Sequence, residues 1–287
     1  MLAYNHGEFI SEAIESVLMQ QTSYSYKIII AEDCSTDNTR NIILEYQAKY
    51  ADRFKVILQE VNVGAQKNNI VLLSNLEGKY VAALEGDDYW TDPFKLQKQI
   101  NFLEKNSDVI VCGSNYFTFN GGKNINIFRN TSTTDALMGD FNDIVKSNMI
   151  PTLTAVFKNS FSLLNLRFLS KAPYADWVLW AYLLNNSGAK FAILPDFTSV
   201  QNIHSGGVFS SITDKEILVR NNLKCWIAMF SVVNFNNKIL VAYEVTMCHN
   251  DNPELFKSNK DLSTKLFFKL FYKISSRVKR LTTPHIH

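Results

Sequence analysis

The sequence predicts an α/β fold, a mostly parallel sheet flanked by helices, followed by a helical C-terminal extension. Three observations carry this. Up to Cys112, short β-branched runs alternate with helical patterns, and the connections between them are brief. Acidic residues fall where strands end, at Asp33 and at Asp87-Asp88. From residue 211 to 247 the pattern becomes wholly helical.

Taken in order, Met1-Leu2-Ala3 is a short apolar stretch that enters the turn composition Tyr4-Asn5-His6-Gly7. Glu8 to Gln20 then places Phe9, Ala13, Ile14, Val17 and Leu18 on one side of a helix. Lys27-Ile28-Ile29-Ile30-Ala31 is a β-branched strand. It ends in Glu32-Asp33-Cys34-Ser35-Thr36-Asp37-Asn38-Thr39, rich in capping residues, before a helix through Ile42, Ile43, Tyr46 and Tyr50. Phe54 to Leu58 is a strand, Asn62-Val63-Gly64 a loop, and Ala65 to Asn75 a helix. Tyr80-Val81-Ala82-Ala83-Leu84 reads as a buried strand that delivers the chain to Glu85-Gly86-Asp87-Asp88-Tyr89-Trp90. Thr91-Asp92-Pro93 starts a helix from Phe94 to Lys105, and Asp108 to Cys112 is a strand continuing as extended chain to Phe119. Right-handed crossovers join such strands into a doubly wound sheet.

Beyond it, Asn120 to Asn130 reads as a polar loop, Asp140 to Val145 as a short helix, and Pro151 to Phe157 as extended chain. Phe161 to Leu169 is again apolar. Asp176 sits at a helix start, with Trp177, Trp180, Ala181 and Leu184 as the buried stripe behind it. Lys190 to Leu194 is a strand, and Val200 to Val208 a glycine-containing loop. In the helical stretch that follows, the apolar run Cys225 to Phe235 is read as packing on the body.

Composition bounds the function. The 287 residues are 46% hydrophobic and 20% charged, ordinary for a globular chain. Four scattered cysteines form no CxxC pair, which argues against a zinc site or a disulfide framework and fits a reducing compartment. No run of 18 apolar residues predicts a membrane span, and the N-terminus shows no basic-then-apolar signal segment. Seven Lys and Arg from residue 260 onward stand against Asp261 alone, so the body is mildly acidic and the tail basic. An acidic body does not suit nucleic acid. Between 260 and 280, Leu262, Leu266, Leu270 and Ile274 recur at helical spacing opposite Lys265, Lys269, Lys273 and Arg277. That pattern is a cationic amphipathic helix suited to a membrane surface, or alternatively to docking on its own domain or a partner.

The chemistry centres on Asp87 and Asp88. Adjacent carboxylates repel unless a proton or cation comes between them. At the C-terminal edge of an open α/β sheet, such a pair suits a hard divalent cation carrying a diphosphate. The competing reading is a solvated turn, since Gly-Asp-Asp is ordinary turn composition. Neither GxGxxG nor GxxxxGK[ST] occurs, so Rossmann-type dinucleotide binding and P-loop phosphate binding lose support.

The ordered set Tyr4-Asn5, Glu32-Asp33-x-Ser35-x-Asp37-x-Thr39, Asn62-x-Gly64 and Gly86-Asp87-Asp88 closely resembles the inverting family 2 glycosyltransferases of the GT-A fold. Gly86-Asp87-Asp88-Tyr89-Trp90-Thr91-Asp92-Pro93-x-Lys95-Leu96-Gln97-x-Gln99 resembles their bacterial polysaccharide-building branch, and the strong match covers roughly the first 120 residues. The resemblance implies a hexosyltransferase that uses a nucleotide-diphosphate sugar, mostly a UDP-sugar, with Mn2+ or Mg2+, and a glycan or lipid-linked acceptor. It divides the chain into a nucleotide-sugar half over 1–125, an acceptor half over 126–210, and the helical extension over 211–287. It places the protein in the cytoplasm or on the inner face of the cell membrane.

Roles carry over residue by residue. The resemblance puts Tyr4 beside the base, Asp33 on the base or ribose, and Lys67 near the nucleotide. Asp87 falls near the ribose or a metal-bound water, and Asp88 is the direct metal ligand. Asp176 matches the family's general base, although Ala175 replaces the more usual glycine or acid before it. His204, with Gly206 and Gly207, matches a stretch that touches the diphosphate or metal and closes over the donor. Here Gln201-Asn202 stands where the family has an aromatic-basic pair. Trp90, Tyr174 and Trp177 are candidates for stacking on sugar faces, core packing being the safer reading of Trp177. The bland alternatives are core packing for Tyr4, a helix-dipole acid for Asp33, a surface charge for Lys67, an N-cap for Asp176 and a hydrogen-bonded loop residue for His204. The family also has a full apolar strand before its Tyr-Asn pair, where this sequence has Met1-Leu2-Ala3. A trimmed start or a stub strand is expected to weaken the sheet and the base pocket. A sugar nucleotidyltransferase and a degenerate, non-catalytic GT-A scaffold or membrane-binding module are the other readings.

Overall fold

The computed structural model describes residues 1–120, 122–159, 163–185, 188–207 and 214–252. The first part runs β1 (Leu2–Ala3), α1 (Ile10–Leu18), β2 (Ile28–Glu32), α2 (Thr39–Lys49), β3 (Phe54–Leu58) and α3 (Ala65–Ser74). Its three strands are parallel, in the order β1-β2-β3, with Leu2 opposite Ala31 and Ile28 opposite Phe54. The second part runs β4 (Tyr80–Ala82), β5 (Tyr89–Trp90), α4 (Lys95–Lys105), β6 (Val109–Asn120), β7 (Lys123–Ile127), β8 (Leu137–Gly139) and α5 (Phe141–Ile144). It continues through β9 (Val156–Lys158), α6 (Ala175–Leu183) and β10 (Lys190–Asn202) to the extension, α7 (Lys215–Val232) and α8 (Phe235–Asp251). Its sheet has the order β4-β9-β6-β10-β5, with β7 on β6 and β8 on β10.

The alternating β-α pattern yields parallel pairing in β1–β3 and in the central β6–β10 pair, with antiparallel strands added around that pair. The antiparallel members are short and lack crossover helices, so no helical period announces them. Within the predicted loop, Lys123–Ile127 form a strand, β7, antiparallel to β6. Lys123-Asn124-Ile125-Asn126-Ile127 alternates polar and apolar residues and pairs along β6 after Gly122, whose φ of 85° suits the turn. Pro151 to Phe157 is extended only at its end, with a 3-10 turn at Thr152–Thr154 before β9. Strand β10 runs far beyond Leu194, because its ladder on β6 breaks register between Leu194 and Phe197, around Pro195-Asp196. A proline inside a strand sits at such an irregularity.

Two apolar clusters hold the layers. One packs Ile10, Ile14, Ile30, Leu96, Ile100 and Val109 between sheet and helices. The other joins Phe157, Trp177, Trp180 and Phe191 to Trp226 and Met229 of α7. The extension therefore packs on the body, with Trp226 Nε1 donating to the Val145 carbonyl at 2.8 Å. Among the described residues no helix is long and apolar enough to cross a membrane. The basic segment 260–280 lies outside the described residues.

The sheets meet where β1 ends. Leu2 pairs in parallel with Glu85, and Gly86 N–H donates to the Leu2 carbonyl at 2.9 Å. Below this join, Ile28 and Ile29 of β2 and Val81 and Ala82 of β4 line one side and the other of a cavity of about 1360 Å³. The Met1 amine lies at its inner end and donates to the Ile29 carbonyl at 2.7 Å; burial pulls its pKa down to about 5.

Candidate active site

The acidic loop between β4 and β5 lines this cavity through Glu85, Asp87 and Asp88. The carboxylates of Glu85, Asp87 and Asp88 offer oxygens within 4.8 Å of one another. Asp88 is buried, and its pKa is held well above the carboxylate range by that burial and by Asp87 and Glu85. Glu85 is pushed up to about 8 by burial, with Asp87 and Asp176 adding to it. Crowded carboxylates of this kind are the donor set that a hard divalent cation relieves of mutual repulsion.

Glycine is required between them. A Cβ at Gly86 would meet His6 Nδ1 at 2.8 Å, Ile10 Cδ1 at 2.9 Å and the Leu2 carbonyl at 3.0 Å. Gly86→Ala is therefore expected to displace the loop, lowering Tm and weakening Mn2+ binding together in thermal scans with and without the ion.

Two imidazoles flank Asp87. Its Oδ2 lies 3.1 Å from His204 Nε2 and 3.7 Å from His6 Nε2. The Phe9 ring backs His204 at a centroid distance of 4.7 Å. Burial lowers the His6 pKa against the pull of Asp87, and its Nδ1 is buried without a hydrogen-bond partner. His204 thus contacts Asp87. Asn202, at the position expected to be basic, donates its N–H to Asp88 Oδ1 at 3.0 Å and its Nδ2 to the Asp87 carbonyl at 2.7 Å. It ties the acidic loop to β10.

On the nucleotide side, Tyr4 is exposed and lines the cavity, so core packing does not account for it. Asp33 also lines it but is buried, and its two oxygens accept from the Val63 and Gly64 N–H groups at 2.8 and 2.9 Å. Asp37, not Asp33, serves the start of α2, accepting from Thr39 N–H at 2.9 Å. Lys67 does not join the cavity. It is exposed on α3, while Gln66 and Asn69, three apart on one face, line the wall.

Asp176 lines the same cavity, in the first turn of α6, whose N-cap is Tyr174. Its Oδ2 accepts from Asn148 Nδ2 at 2.8 Å and from Thr152 Oγ1 at 3.2 Å. Burial raises its pKa, while those hydrogen bonds and one from the Trp177 N–H hold it down. A carboxylate with a raised pKa at a cavity wall is the form a general base takes. Tyr174 is half-buried on the same wall. Trp90 and Trp177 are both buried and donate Nε1 to the carbonyls of Leu153 and Ile144 at 2.9 and 2.6 Å. Trp177 is a core residue, and both tryptophans also line the cavity.

Sequence reasoning passed over Glu85, His6, Asn148, Thr152 and the loop-tying role of Asn202. Glu85 carried a signal, an acid one residue past the strand. Asn148 and Thr152 carried none, because their partner lies 28 and 24 residues away in sequence.

Comparison with known proteins bears on this arrangement. The family described as "Glycosyl transferase family 2" matches residues 1–164. An uncharacterized protein of Mycobacterium tuberculosis is 33% identical over 221 residues, covering 75% of this chain but only 61% of that protein. The Escherichia coli "UDP-Glc:alpha-D-GlcNAc-diphosphoundecaprenol beta-1,3-glucosyltransferase WfgD" is 29% identical over 191 residues, 65% of this chain and 69% of its own. Among solved structures, Staphylococcus aureus TarS in complex with UDP superposes with TM-score 0.60 at 16% identity, over 92% of this chain and 75% of that one. The mannosyltransferase PcManGT of Pyrobaculum calidifontis, in complex with GDP-Man and Mn2+, gives TM-score 0.56 at 12% identity, over 97% and 81%. At such identities the two structures establish the shared fold.

Proposed function

The chain belongs to glycosyltransferase family 2, and from that membership we propose that it moves a sugar from a UDP-sugar to a hydroxyl of a lipid-linked glycan, with inversion. The observation that carries this is one cavity lined both by the clustered Glu85, Asp87 and Asp88 and by Asp176. WfgD, by its name, uses UDP-Glc on a diphosphoundecaprenol-linked acceptor, which supports the donor and acceptor class.

In this reading Tyr4 and the Asp33-braced Val63-Gly64 turn bind the nucleoside. Asp88, with Asp87 beside it, would hold Mn2+ or Mg2+, and a bound ion would supply charge neutralisation to the leaving diphosphate. His204, held beside Asp87 and the Phe9 ring, would reach the same diphosphate. Asp176 takes the proton from the acceptor hydroxyl as it attacks the anomeric carbon opposite the leaving group. The cationic segment 260–280 would bring the enzyme to the membrane surface where a lipid-linked acceptor resides.

Two other readings lose ground. Family membership removes the basis for a sugar nucleotidyltransferase. A degenerate scaffold would have no reason to keep three carboxylates and a separate, raised-pKa aspartate around one cavity.

Calorimetric titration of UDP, with and without Mn2+, tests the donor half. Binding is expected with the ion and lost on its removal. Tight binding of GDP instead of UDP would change the nucleotide, and no nucleotide binding in Mn2+ would overturn the reading.

A further inference from the structure

Lys95 is fully buried, with 0% of its surface exposed. Its Nζ donates to Gln99 Oε1 at 2.5 Å and to the Thr154 carbonyl at 3.1 Å, and lies 4.8 Å from the centroid of the Trp90 ring. Gln99, also 0% exposed, donates to the same Thr154 carbonyl at 2.9 Å. Trp90 Nε1 and Ser199 Oγ take the neighbouring Leu153 carbonyl at 2.9 and 3.1 Å. Burying an ammonium is costly unless its partners are fixed, and here burial pulls the Lys95 pKa down to about 7. The folding energy so committed converges on one short element, the 3-10 turn Thr152–Thr154.

That turn also carries a contact to the site. Thr154 N–H and Oγ1 both bond the Pro151 carbonyl, at 3.0 and 2.9 Å, which closes the turn. Thr152, at its start, places Oγ1 on Asp176 Oδ2. Trp90, over which the ammonium sits, directly follows Asp88 and Tyr89. Lys95 therefore stands between the acidic loop and the turn that touches Asp176.

We propose that Lys95 is a positioning residue for transfer: clamped on the Thr154 carbonyl, it fixes the Pro151–Thr154 turn so that the Thr152 hydroxyl stays on Asp176. The hydroxyl stabilises the ionised carboxylate and orients it toward the acceptor. This rests on the reading of Asp176 as the base.

The test follows the Asp176 carboxyl directly. Its pKa is read by carboxyl 13C NMR of aspartate-labelled protein, with Asp176→Asn assigning the resonance. The other titratable groups around it are Glu85, Tyr174 and Cys225, and no variant used here alters them. Thr152→Val is expected to raise the Asp176 pKa, since a hydrogen bond to the charged form is lost. Lys95→Met is expected to raise it in the same direction and by most of the same amount, and the double variant by no more than Thr152→Val alone. Release of UDP from UDP-glucose in Mn2+ should fall about tenfold in kcat with KM unchanged, as for misplacement of a catalytic group. A lysine that served stability alone would lower Tm and leave the pKa in place. A shift in Thr152→Val with none in Lys95→Met would overturn the proposal. Should Lys95→Met fail to fold, Lys95→Gln withdraws the ammonium from the Thr154 carbonyl while keeping a polar side chain, and an unmoved Asp176 pKa there would overturn it equally. Near-normal turnover in Asp176→Asn would instead defeat the base assignment, with the coupling of Lys95 to the carboxyl still measurable.

Discussion

Asp88→Ala is expected to weaken Mn2+-dependent UDP binding by more than about 100-fold, beyond the loss typical for a residue that only supports a ligand. Asp88 is buried in the cavity lining, and the protein engages its Oδ1 through the Asn202 N–H. The neighbouring Glu85 and Asp87 raise its pKa rather than satisfy it. The side chain is thus held in place by the fold without being neutralised by it. Unchanged UDP affinity of the variant in Mn2+ would refute the metal role. The fold itself should persist, since the substitution removes like-charge repulsion.

The same crowding sets a pH dependence. Glu85 has its folded pKa raised to about 8 against an ordinary value of 4.5. Its contribution to stability is fully present below pH 4.5 and is lost as pH rises through 8. Asp88 shifts in the same direction. Without divalent ions, Tm should therefore decline between about pH 5 and 8, and Mn2+ should restore it most at the upper end. A flat profile, or no restoration, would mean that the three carboxylates are independently solvated.

Asp176→Asn is expected to keep donor binding and to lose turnover by about 10²–10⁴-fold, the range for a positioned general base. The amide preserves shape and can keep the contacts of Asn148 and Thr152, so binding should not change. It cannot accept the proton of an attacking hydroxyl. In the unaltered protein the rate should fall as pH drops through the raised Asp176 pKa. Near-normal turnover would move the base elsewhere, and Glu85 would be the next carboxyl to test.

The first strand-helix units were legible because burial there has one period per element. Phe54–Leu58 coincides with its predicted strand, and Ala65–Ser74 falls one residue short of its predicted helix. The antiparallel additions were less legible. Hairpin β7 is polar on alternate positions, and β10 is interrupted by Pro195-Asp196, so local pattern gave way to ladder pairing with β6. The acids were visible as residue types at strand ends. What they do was not, because it depends on long-range partners. Asn202, in the place of an expected cation, is a donor to the loop across 114 residues. Lys67, picked for its charge, lies on the wrong face of its helix by one residue. The Lys95-Leu96-Gln97-x-Gln99 run was read as a family signature, and only the structure turned it into hydrogen bonds on one carbonyl.

The narrow join between the two sheets has a consequence for cooperativity. Across it the described chain has the Leu2–Glu85 bridge and the bond from Gly86, whereas β6 and β10 share a ladder from Lys190 to Asn202. Protein segments open in units bounded by such weak seams. Here the few strand-to-strand bonds are backed by the shared apolar cluster of Ile10, Ile14, Ile30, Leu96, Ile100 and Val109, so the β1–β3 unit with Tyr4 and Asp33 is expected to open together with the β6–β10 unit and not ahead of it. A donor spanning the cavity would contact both units at once. Its binding would then act as a rivet at the strand join, adding to the hold that the shared core already supplies.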